Sequence, residues 1–495
     1  MEELNGYVLI NNKRYPFAFT DDKLKIYPIV ENGDIAIKDK EYDELVPEVL
    51  VRKYERGNII DEIELRGTLT NGHDVIFKVY DNPNDIDGFC TYTVISSYIY
   101  ISEQRIPIWN EEEKRIVESK RVKNKIDGII ISGREIDFFF EPSKVFEHRY
   151  ELENGKLPFT EFNITATQNK DEKCGSFVMG EIECEILIRS IVSVKIASKV
   201  PFSSYSELVL DFSKDITLEQ GEKVIVSLRN CFQYLCRRKN IEFSMIEMFC
   251  NTENGKRRRF GDYRLNWQRN IEEVDPGANS QIINYEILKT NLGQLVQAFV
   301  AEEIYLNHLP DNKSEDRMFG PDRMIFDFVA FEREYQNLYP EKEIRSEEFI
   351  DAKKLVLDYI NQLHKDVTGK RKKYVASIGK SVSRIENSLG ERIQYAINDC
   401  KDIMTPFLIY NFQRKEYKND VENMCDRLNQ LRNDCAHGNM AIAIEGTMLT
   451  DYNTLECLLY AMRLKALGVS TLKAQKAIAR VMNINMYIPE ENIER

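Results

Sequence analysis

The stretch Glu272-Glu273-Val274-Asp275-Pro276-Gly277-Ala278-Asn279-Ser280 divides the chain into two parts of different character. Proline, glycine, asparagine and serine occur together here, with acidic charge and no apolar period, which is typical of a linker. We therefore predict a linker over residues 271–280. Apolar residues before it mostly follow the spacing of β-strands, and those after it follow the spacing of helices.

On the N-terminal side, short runs rich in Val, Ile, Tyr, Phe and Thr alternate with turn residues. Asn71-Gly72 lies between the apolar runs Ile63–Leu69 and Asp74–Tyr80, which is a strong β-hairpin signal. Further strands are predicted at 128–131, 136–140, 181–194, 207–212 and 241–249. Strands at this spacing favour a sandwich-like antiparallel domain.

We assign this β-rich domain to residues 1–270. Within it, residues 205–270 are interpreted as an α/β appendage, because the apolar spacing of Leu218–Arg237 predicts a helix between strands.

On the C-terminal side, the predicted helices lie at 282–307, 323–338, 346–363, 378–400, 417–436, 455–467 and 471–481. Their short connections favour an all-α bundle over residues 281–485, followed by a tail at 486–495. The predicted fold class is therefore α+β and multidomain.

The net charge of −13 by itself disfavours nucleic-acid binding, which needs Lys and Arg to neutralise phosphate. Two local basic runs are exceptions, and we take both as candidate RNA contacts. They contain Arg257, Arg258 and Arg259, and Lys370, Arg371, Lys372 and Lys373. For each run taken alone, a solvated loop is the simpler interpretation.

Cysteine and histidine show no metal-site spacing. The ten cysteines include no Cys-x-x-Cys pair, and the five histidines lie far apart. We expect no metal and no cofactor. The N-terminus has Glu2 and Glu3 in place of a basic flank, and no apolar run approaches the roughly 18–20 residues that cross a bilayer. These features predict a cytoplasmic protein with reduced thiols and no membrane partner.

The predicted helix 417–436 places an arginine beside a buried face. On a helical wheel its apolar residues form one stripe, at Val421, Met424, Cys425, Leu428, Leu431 and Cys435. Arg432 projects next to this stripe, where a guanidinium needs a carboxylate, a phosphate or a partner chain.

Asn433 and His437 are four residues apart and share one side of that helix if it continues so far. The Asn433 amide could then hold one ring nitrogen of His437 and select the tautomer that faces a substrate. Gly438-Asn439 is a helix-stop signal, so His437 is expected at a helix C-terminus, where the dipole favours imidazolium. Such a histidine suits proton transfer near neutral pH.

Arg432-Asn433-x-x-x-His437, late in a helical domain, resembles the Arg-x4-His motif of HEPN-domain ribonucleases. Ala330–Tyr335 and Ser388–Ile393 are similar to segments of ApeA-like HEPN proteins. The stretch from Asp127-Gly128 to Phe138 resembles the ApeA N-terminal domain, which accompanies this HEPN type in bacterial anti-phage defence. The resemblance covers nearly the whole chain.

This resemblance implies a metal-independent endoribonuclease in which the ribose 2′-OH attacks the adjacent phosphate. His437 would be the general acid or base, and Arg432 would hold the phosphate. Asn433 would orient His437 or the phosphate. Glu332 and Glu334 are candidates to pair with Arg432. HEPN sites are usually composite, so the single motif predicts a homodimer or higher assembly.

As implied partners we retain RNA, with transfer RNA as one candidate, and a phage-derived trigger molecule or protein sensed by the N-terminal domain. Two alternatives stay open. One is a non-catalytic RNA- or protein-binding module with a lectin-like β domain. The other is a metal-dependent nuclease, which the missing ligand spacing disfavours.

Overall fold

The computed structural model of the chain describes residues 3–10, 12–20, 22–27, 30–31, 34–35, 42–46, 49–52, 62–80, 84–86, 89–110, 115–142, 146–149, 163–166, 171–194, 202–252, 255–266, 281–318, 320–340, 345, 347–383, 387–413, 418–436 and 446–488. Two compact units are present. The N-terminal unit comprises Met1–Arg229 and Ile241–Glu273, and the helical unit comprises Asn230–Asn240 and Val274–Arg495. The predicted linker 271–280 and most of the tail 486–495 lie outside the described residues.

The strands belong to the N-terminal unit. They are β1 Leu4–Ile10, β2 Lys13–Thr20, β3 Lys23–Ile26, β4 Val30–Glu31, β5 Asp34–Ile35, β6 Tyr42–Val46, β7 Val49–Arg52, β8 Glu62–Leu69, β9 Asp74–Tyr80, β10 Asn84–Ile86, β11 Phe89–Tyr100, β12 Glu103–Asn110, β13 Arg115–Lys123, β14 Ile126–Ser132, β15 Phe146–Arg149, β16 Asn163–Ala166, β17 Glu172–Met179, β18 Ile182–Val194, β19 Phe202–Ile216, β20 Met245–Asn251 and β21 Arg257–Leu265.

Thirteen of these strands form one antiparallel sheet, in the order β17-β18-β19-β14-β20-β21-β11-β3-β2-β1-β8-β9 with β10 beside β11. β11 also pairs with β9, so β11, β3, β2, β1, β8 and β9 close into a ring. The length of β11 permits this, because Cys90–Thr93 pairs with β3 and the rest pairs with β9 after a register shift at Val94. The antiparallel β-rich character is confirmed, but six of the strands close into a ring around their own core, where a sandwich had been predicted.

The ring encloses an aromatic and aliphatic core. Phe77 makes edge contacts with Phe17 and Phe19 at centroid distances of 5.2 and 5.1 Å, a geometry that aromatic quadrupoles favour. The predicted Asn71-Gly72 hairpin is confirmed, since it joins β8 to β9 and Gly72 has a φ of 85°. That positive φ is the reason a glycine is needed at the turn.

The second part of the sheet is centred on β14, whose residues Ile129–Ile131 are almost completely buried. β14 pairs with both β19 and β20. Residues 205–270 therefore contribute strands to the main sheet and are not a separate appendage.

The predicted strand over 136–140 is wrong. Helix α1, Arg134–Phe139, occupies this position. Glu135 and Asp137 in its first turn stabilise the helix, because their negative charges interact favourably with the positive end of the helix dipole.

The remaining helices are α2 Leu218–Cys236, α3 Tyr285–Leu288, α4 Asn291–Val300, α5 Pro321–Leu338, α6 Glu347–Asp366, α7 Gly369–Ser383, α8 Leu389–Asp399, α9 Lys401–Phe412, α10 Lys418–Ala436, α11 Gly446–Ala466 and α12 Thr471–Val481. The last part of α2, from Asn230, belongs to the helical unit. None of the helices among the described residues is long and apolar enough to span a bilayer.

Helix α11 is central to the helical unit. Its residues Asp451–Leu464 are buried almost without interruption, and the helix contacts α5, α8, α9 and α12. A helix that is buried on every side is expected at the centre of a core. The predicted helix 282–307 is divided into α3 and α4, and helix α9 had not been predicted.

Candidate functional site

Helix α10 carries the proposed site, and its predicted apolar stripe is confirmed. Every member is buried: Val421, Met424, Cys425, Leu428, Leu431 and Cys435. The stripe packs against α5 and α8. Helix α8 can approach closely because its second residue is a glycine, since a Cβ at Gly390 would lie 2.9 Å from the Cys425 carbonyl oxygen. Ser388 and Glu391 form a capping box at this start.

Arg432 lies beside the stripe and is held loosely. Its side chain is 44% exposed, and its guanidinium lies 3.5 Å from a carboxylate oxygen of Glu332 on α5. An exposed ion pair at this distance contributes little stability, on the order of 0–1 kcal/mol. The predicted pairing with Glu332 is therefore found, in a form that a phosphate could displace.

The predicted pairing of Glu334 with Arg432 is wrong. Glu334 is buried and binds Arg463 of α11, with N–O distances of 2.7 and 2.8 Å. The reason is helical geometry. Residues two positions apart on α5 point about 200° apart, so Glu332 and Glu334 cannot face the same partner.

Arg427 is a second arginine on α10, and it was not among the predicted site residues. Two of its nitrogens each lie 2.7 Å from a carboxylate oxygen of Asp451 on α11. The Asp451 side chain is only 1% exposed. Burial raises the pKa of Asp451, and the Arg427 guanidinium opposes that rise. Arg427 thus fastens α10 to the core by a bidentate pair, whereas Arg432 on the same helix stays available.

Asn433 follows Arg432 on α10 and is half-buried. His437 lies outside the described residues, so the expected contact between Asn433 and His437 stays a prediction. The same holds for the helix stop at Gly438-Asn439. Gln430 and Asp434, on an exposed side of α10, form a 3.1 Å hydrogen bond with each other.

The basic run at 370–373 lies in the first turn of α7 and not in a loop. Lys370, Arg371, Lys372 and Lys373 are all exposed, and none forms an ion pair with a residue in the described part of the chain. Cations at a helix N-terminus oppose the helix dipole, and α7 has no acidic residue in its first turn. The arrangement leaves four positive charges that an anion would stabilise.

The other basic run differs, because it lies on β21 and is satisfied within its own unit. Arg257 and Arg259 form ion pairs at 2.6 Å, and Arg258 donates a 2.9 Å hydrogen bond to the Asn124 side chain. The carboxylate partners are Asp171, Asp211, Glu207 and Glu247. Neutralised guanidiniums attract phosphate weakly, so α7 is the stronger candidate for RNA contact.

A buried ionic cluster in the helical unit had no signal in the sequence, because its members are far apart along the chain. Glu456 on α11 accepts hydrogen bonds from Arg237 and from Arg323, the latter at 2.8 Å. Arg237 also pairs with Asp316. His308 is buried nearby, and burial lowers its pKa to about 4 against the attraction of Glu456. His308 is therefore a neutral residue of the core.

Asp327 lies on α5 near this cluster, and neither of its carboxylate oxygens has a hydrogen-bond partner among the described residues. Burial raises the pKa of Asp327 well above its ordinary value, and the Glu456 carboxylate raises it further. The folded chain therefore favours the protonated form of Asp327 more than the unfolded chain does.

We expect Asp327→Asn to stabilise the helical unit at pH 7 by about 1–3 kcal/mol, because it removes an acid that ionises freely in the unfolded chain and whose ionisation burial opposes in the folded chain. Because the folded pKa of Asp327 is raised, the free energy of unfolding decreases as pH rises from about 4, where this acid ionises in the unfolded chain. Asparagine does not ionise, so the variant lacks this decrease. The gain, measured by urea unfolding, should be larger at pH 7 than at pH 5. The exposed Asp358→Asn is the control. A gain that is equal at both pH values would contradict this protonation state.

The N-terminal unit contains a cavity of about 460 Å³. Its wall combines apolar side chains, including Phe19 and Phe243, with the carboxylates of Glu247 and Asp262. Burial raises the pKa of both acids. Within the described residues, no group of three or more His, Cys, Asp or Glu side chains could hold a metal ion.

No family model, curated protein or solved structure matches this chain. The likeness to ApeA-like HEPN ribonucleases therefore depends on the quoted residues alone.

Proposed function

We propose that the helical unit is a metal-independent endoribonuclease of the HEPN type, with Arg432, Asn433 and His437 as catalytic residues. The observation that carries the proposal is the contrast between two arginines of α10. Both side chains are 44% exposed, but Arg427 is fastened to a buried carboxylate, whereas Arg432 has only a weak 3.5 Å pair. An arginine kept beside a buried stripe without a strong partner is suited to bind an anion.

In the proposed reaction the ribose 2′-OH attacks the adjacent phosphorus. A base removes the 2′-OH proton, the P–O5′ bond breaks, and an acid protonates the departing 5′ oxygen. The products are a 2′,3′-cyclic phosphate and a 5′-OH. His437 supplies the acid or base, and Arg432 stabilises the negative charge that develops on the phosphate oxygens. Asn433 orients His437 or the phosphate.

Glu332 has a positioning role in this scheme. Its weak pair with Arg432 holds the guanidinium near the edge of the α10 stripe until RNA arrives. A phosphate makes a shorter, bidentate contact with arginine than the 3.5 Å contact to Glu332, so the exchange is favourable.

RNA is proposed to contact the basic start of α7, and transfer RNA is one candidate substrate. One chain contains one Arg-x4-His segment, whereas the proposed reaction needs both a general base and a general acid. We therefore propose a composite site in a homodimer or higher assembly.

The biological role that we propose is an antiviral, abortive-infection effector in the cytoplasm. A ribonuclease of this kind would damage its host if it were always active. The N-terminal unit would therefore restrain the helical unit until a phage-derived molecule or protein binds, and the 460 Å³ cavity is a candidate place for such a ligand.

The test is an RNA cleavage assay in EDTA with the purified full-length chain, with and without extract of phage-infected cells. We expect cleavage products that end in 2′,3′-cyclic phosphate, and His437→Ala should abolish them. Since extracts contain other ribonucleases, His437→Ala in the same extract is the matched background.

Three outcomes would overturn the proposal. Full cleavage by His437→Ala would remove that residue from the chemistry. Cleavage that disappears with the chelator would indicate a metal-dependent nuclease. RNA binding without cleavage under any trigger would favour a non-catalytic binding module with a lectin-like β domain.

A further inference from the structure

Helices α6 and α7 form a hairpin in which no side chain is buried, although every residue of both helices is described. The two helices pack on each other, and a Cβ at Gly379 would lie 3.0 Å from a methyl group of Ile360. A two-helix hairpin without further packing is marginal in water, because helices gain most of their stability from covering an apolar face.

The hairpin also exposes a second apolar face. On α6 this face contains Leu355, Tyr359 and Leu363 at four-residue spacing, with exposures of 71%, 68% and 36%. On α7 it contains Tyr374 and Ile378, also four residues apart, with exposures of 67% and 55%. Residues at this spacing share one side of a helix.

The two stripes lie on the same side of the hairpin. Tyr359 directly precedes Ile360 of the packed surface, and Ile378 directly precedes Gly379. Each stripe is therefore turned by about 100° from the packed surface in the same rotational sense. Because the short connection makes the two helices antiparallel, the same sense brings both stripes to one side. We call this surface the hairpin face, defined by Leu355, Tyr359, Leu363, Tyr374 and Ile378.

The charges around the hairpin face are self-complementary. Helix α6 has five carboxylates and three lysines, whereas α7 has five basic residues and no carboxylate. At the tip, Asp366 continues the α6 stripe three residues after Leu363, and Lys370 precedes the α7 stripe by four residues. The α6 half of the hairpin thus has a net negative charge, and the α7 half has a net positive charge.

We propose that the hairpin face docks on the hairpin face of a second copy of this chain, which makes a four-helix bundle. A two-fold axis parallel to the helices places α6 of each copy against α7 of the other, with Asp366 facing Lys370 at the tip. The alternative two-fold axis would place acidic α6 against α6 and basic α7 against α7. Charge complementarity therefore selects both the partner and the arrangement.

This arrangement uses Lys370 in the interface and leaves Lys372 and Lys373 for the proposed RNA contact. Lys372 and Lys373 follow Lys370 by two and three residues, and Lys372 points about 200° away from Lys370. The proposed association does not depend on what the helical unit cleaves. It can therefore be measured without RNA.

Sedimentation velocity of the full-length chain between about 0.1 and 50 μM tests the proposal. We expect a wild-type dimer, and Tyr359→Glu should raise the dissociation constant by about 100-fold or more, as expected for a central interface aromatic. Asn361→Glu is the matched control, since it adds the same charge on the opposite side of α6 and should remain dimeric. Circular dichroism confirms that the variants keep their helices.

A charge exchange tests the arrangement. Asp366→Lys and Lys370→Asp should each weaken the dimer, and the two together should restore it. Weakening by each change without restoration would exclude α6-to-α7 packing.

The proposal is overturned if the wild-type chain is monomeric, or if Tyr359→Glu dimerises as tightly as wild type. A monomeric wild type that sediments with anionic lipid vesicles, or with RNA through Tyr359, would assign the face to that partner instead. Dimerisation through the Arg432–His437 segment alone would leave Tyr359→Glu dimeric, so the two proposals fail separately.

Discussion

Replacing Arg432 with alanine is expected to slow RNA cleavage by roughly 100- to 1000-fold and to leave the folded state intact. The kinetic effect follows from the proposed role, in which the guanidinium stabilises charge on the phosphate in the transition state. The small effect on stability follows from the structure, because the side chain is 44% exposed and its pair with Glu332 is 3.5 Å long. Loss of such a pair costs about 1 kcal/mol or less.

Arg427→Ala is the matched comparison, on the same helix and with the same exposed fraction. Its removal strands the buried Asp451 carboxylate, so it should destabilise the helical unit by about 1–3 kcal/mol. Cleavage per folded molecule should stay within a few-fold of wild type. Single-turnover cleavage and thermal unfolding, measured on both variants, separate the two roles.

The opposite pattern would refute this assignment. If Arg432→Ala cleaves at the wild-type rate, or if both variants lose activity only in proportion to lost folding, Arg432 has no catalytic role. Arg432→Lys should keep part of the activity, since lysine retains the charge but not the bidentate geometry.

Replacing Glu456 with alanine is expected to destabilise the helical unit by about 3–5 kcal/mol, because it leaves two buried guanidiniums without their shared carboxylate. Glu456 is 3% exposed and accepts hydrogen bonds from Arg237 and Arg323. These contacts connect the end of α2 and the start of α5 to the central helix α11.

Urea unfolding of Glu456→Ala measures this loss, and Glu332→Ala is the control for removal of an exposed paired carboxylate. Burial opposes ionisation of Glu456, yet the two arginines hold its pKa below the ordinary value. Its stabilising effect is therefore complete above the unfolded pKa, about 4.3, and declines as pH falls through the lower folded pKa. A loss under 1 kcal/mol at pH 7 would mean that the cluster does not support the core.

The sequence was most informative where one element contained its own signal. Asn71-Gly72 between two apolar runs identified β8 and β9, because the turn chemistry and the strand period are both local. The α10 stripe was identified residue by residue for the same reason. The closure of the sheet at β11 could not be read in this way, since it depends on one long strand pairing with β3 and β9, which are distant in sequence.

The candidate site shows the same limit. Helical spacing placed Arg432 beside the buried stripe of α10, but it could not choose between Glu332 and Glu334 as partners. That choice depended on how α5 and α11 pack, because Arg463 of α11 takes Glu334. Likewise, the basic run at 370–373 was evident in the sequence. Its position at the start of a helix was not.

By itself, then, the sequence determined the α+β class, the local hairpin and helix signals, and the Arg432-Asn433-x-x-x-His437 segment that motivates the ribonuclease proposal. Only the tertiary structure decided which arginines are satisfied, which acids have raised pKa values and which apolar face is left uncovered. The physical reason is that periodicity depends on neighbours along the chain. Charge pairing, pKa shifts and burial depend on residues that folding brings together from distant positions, as Arg237 and Glu456 are.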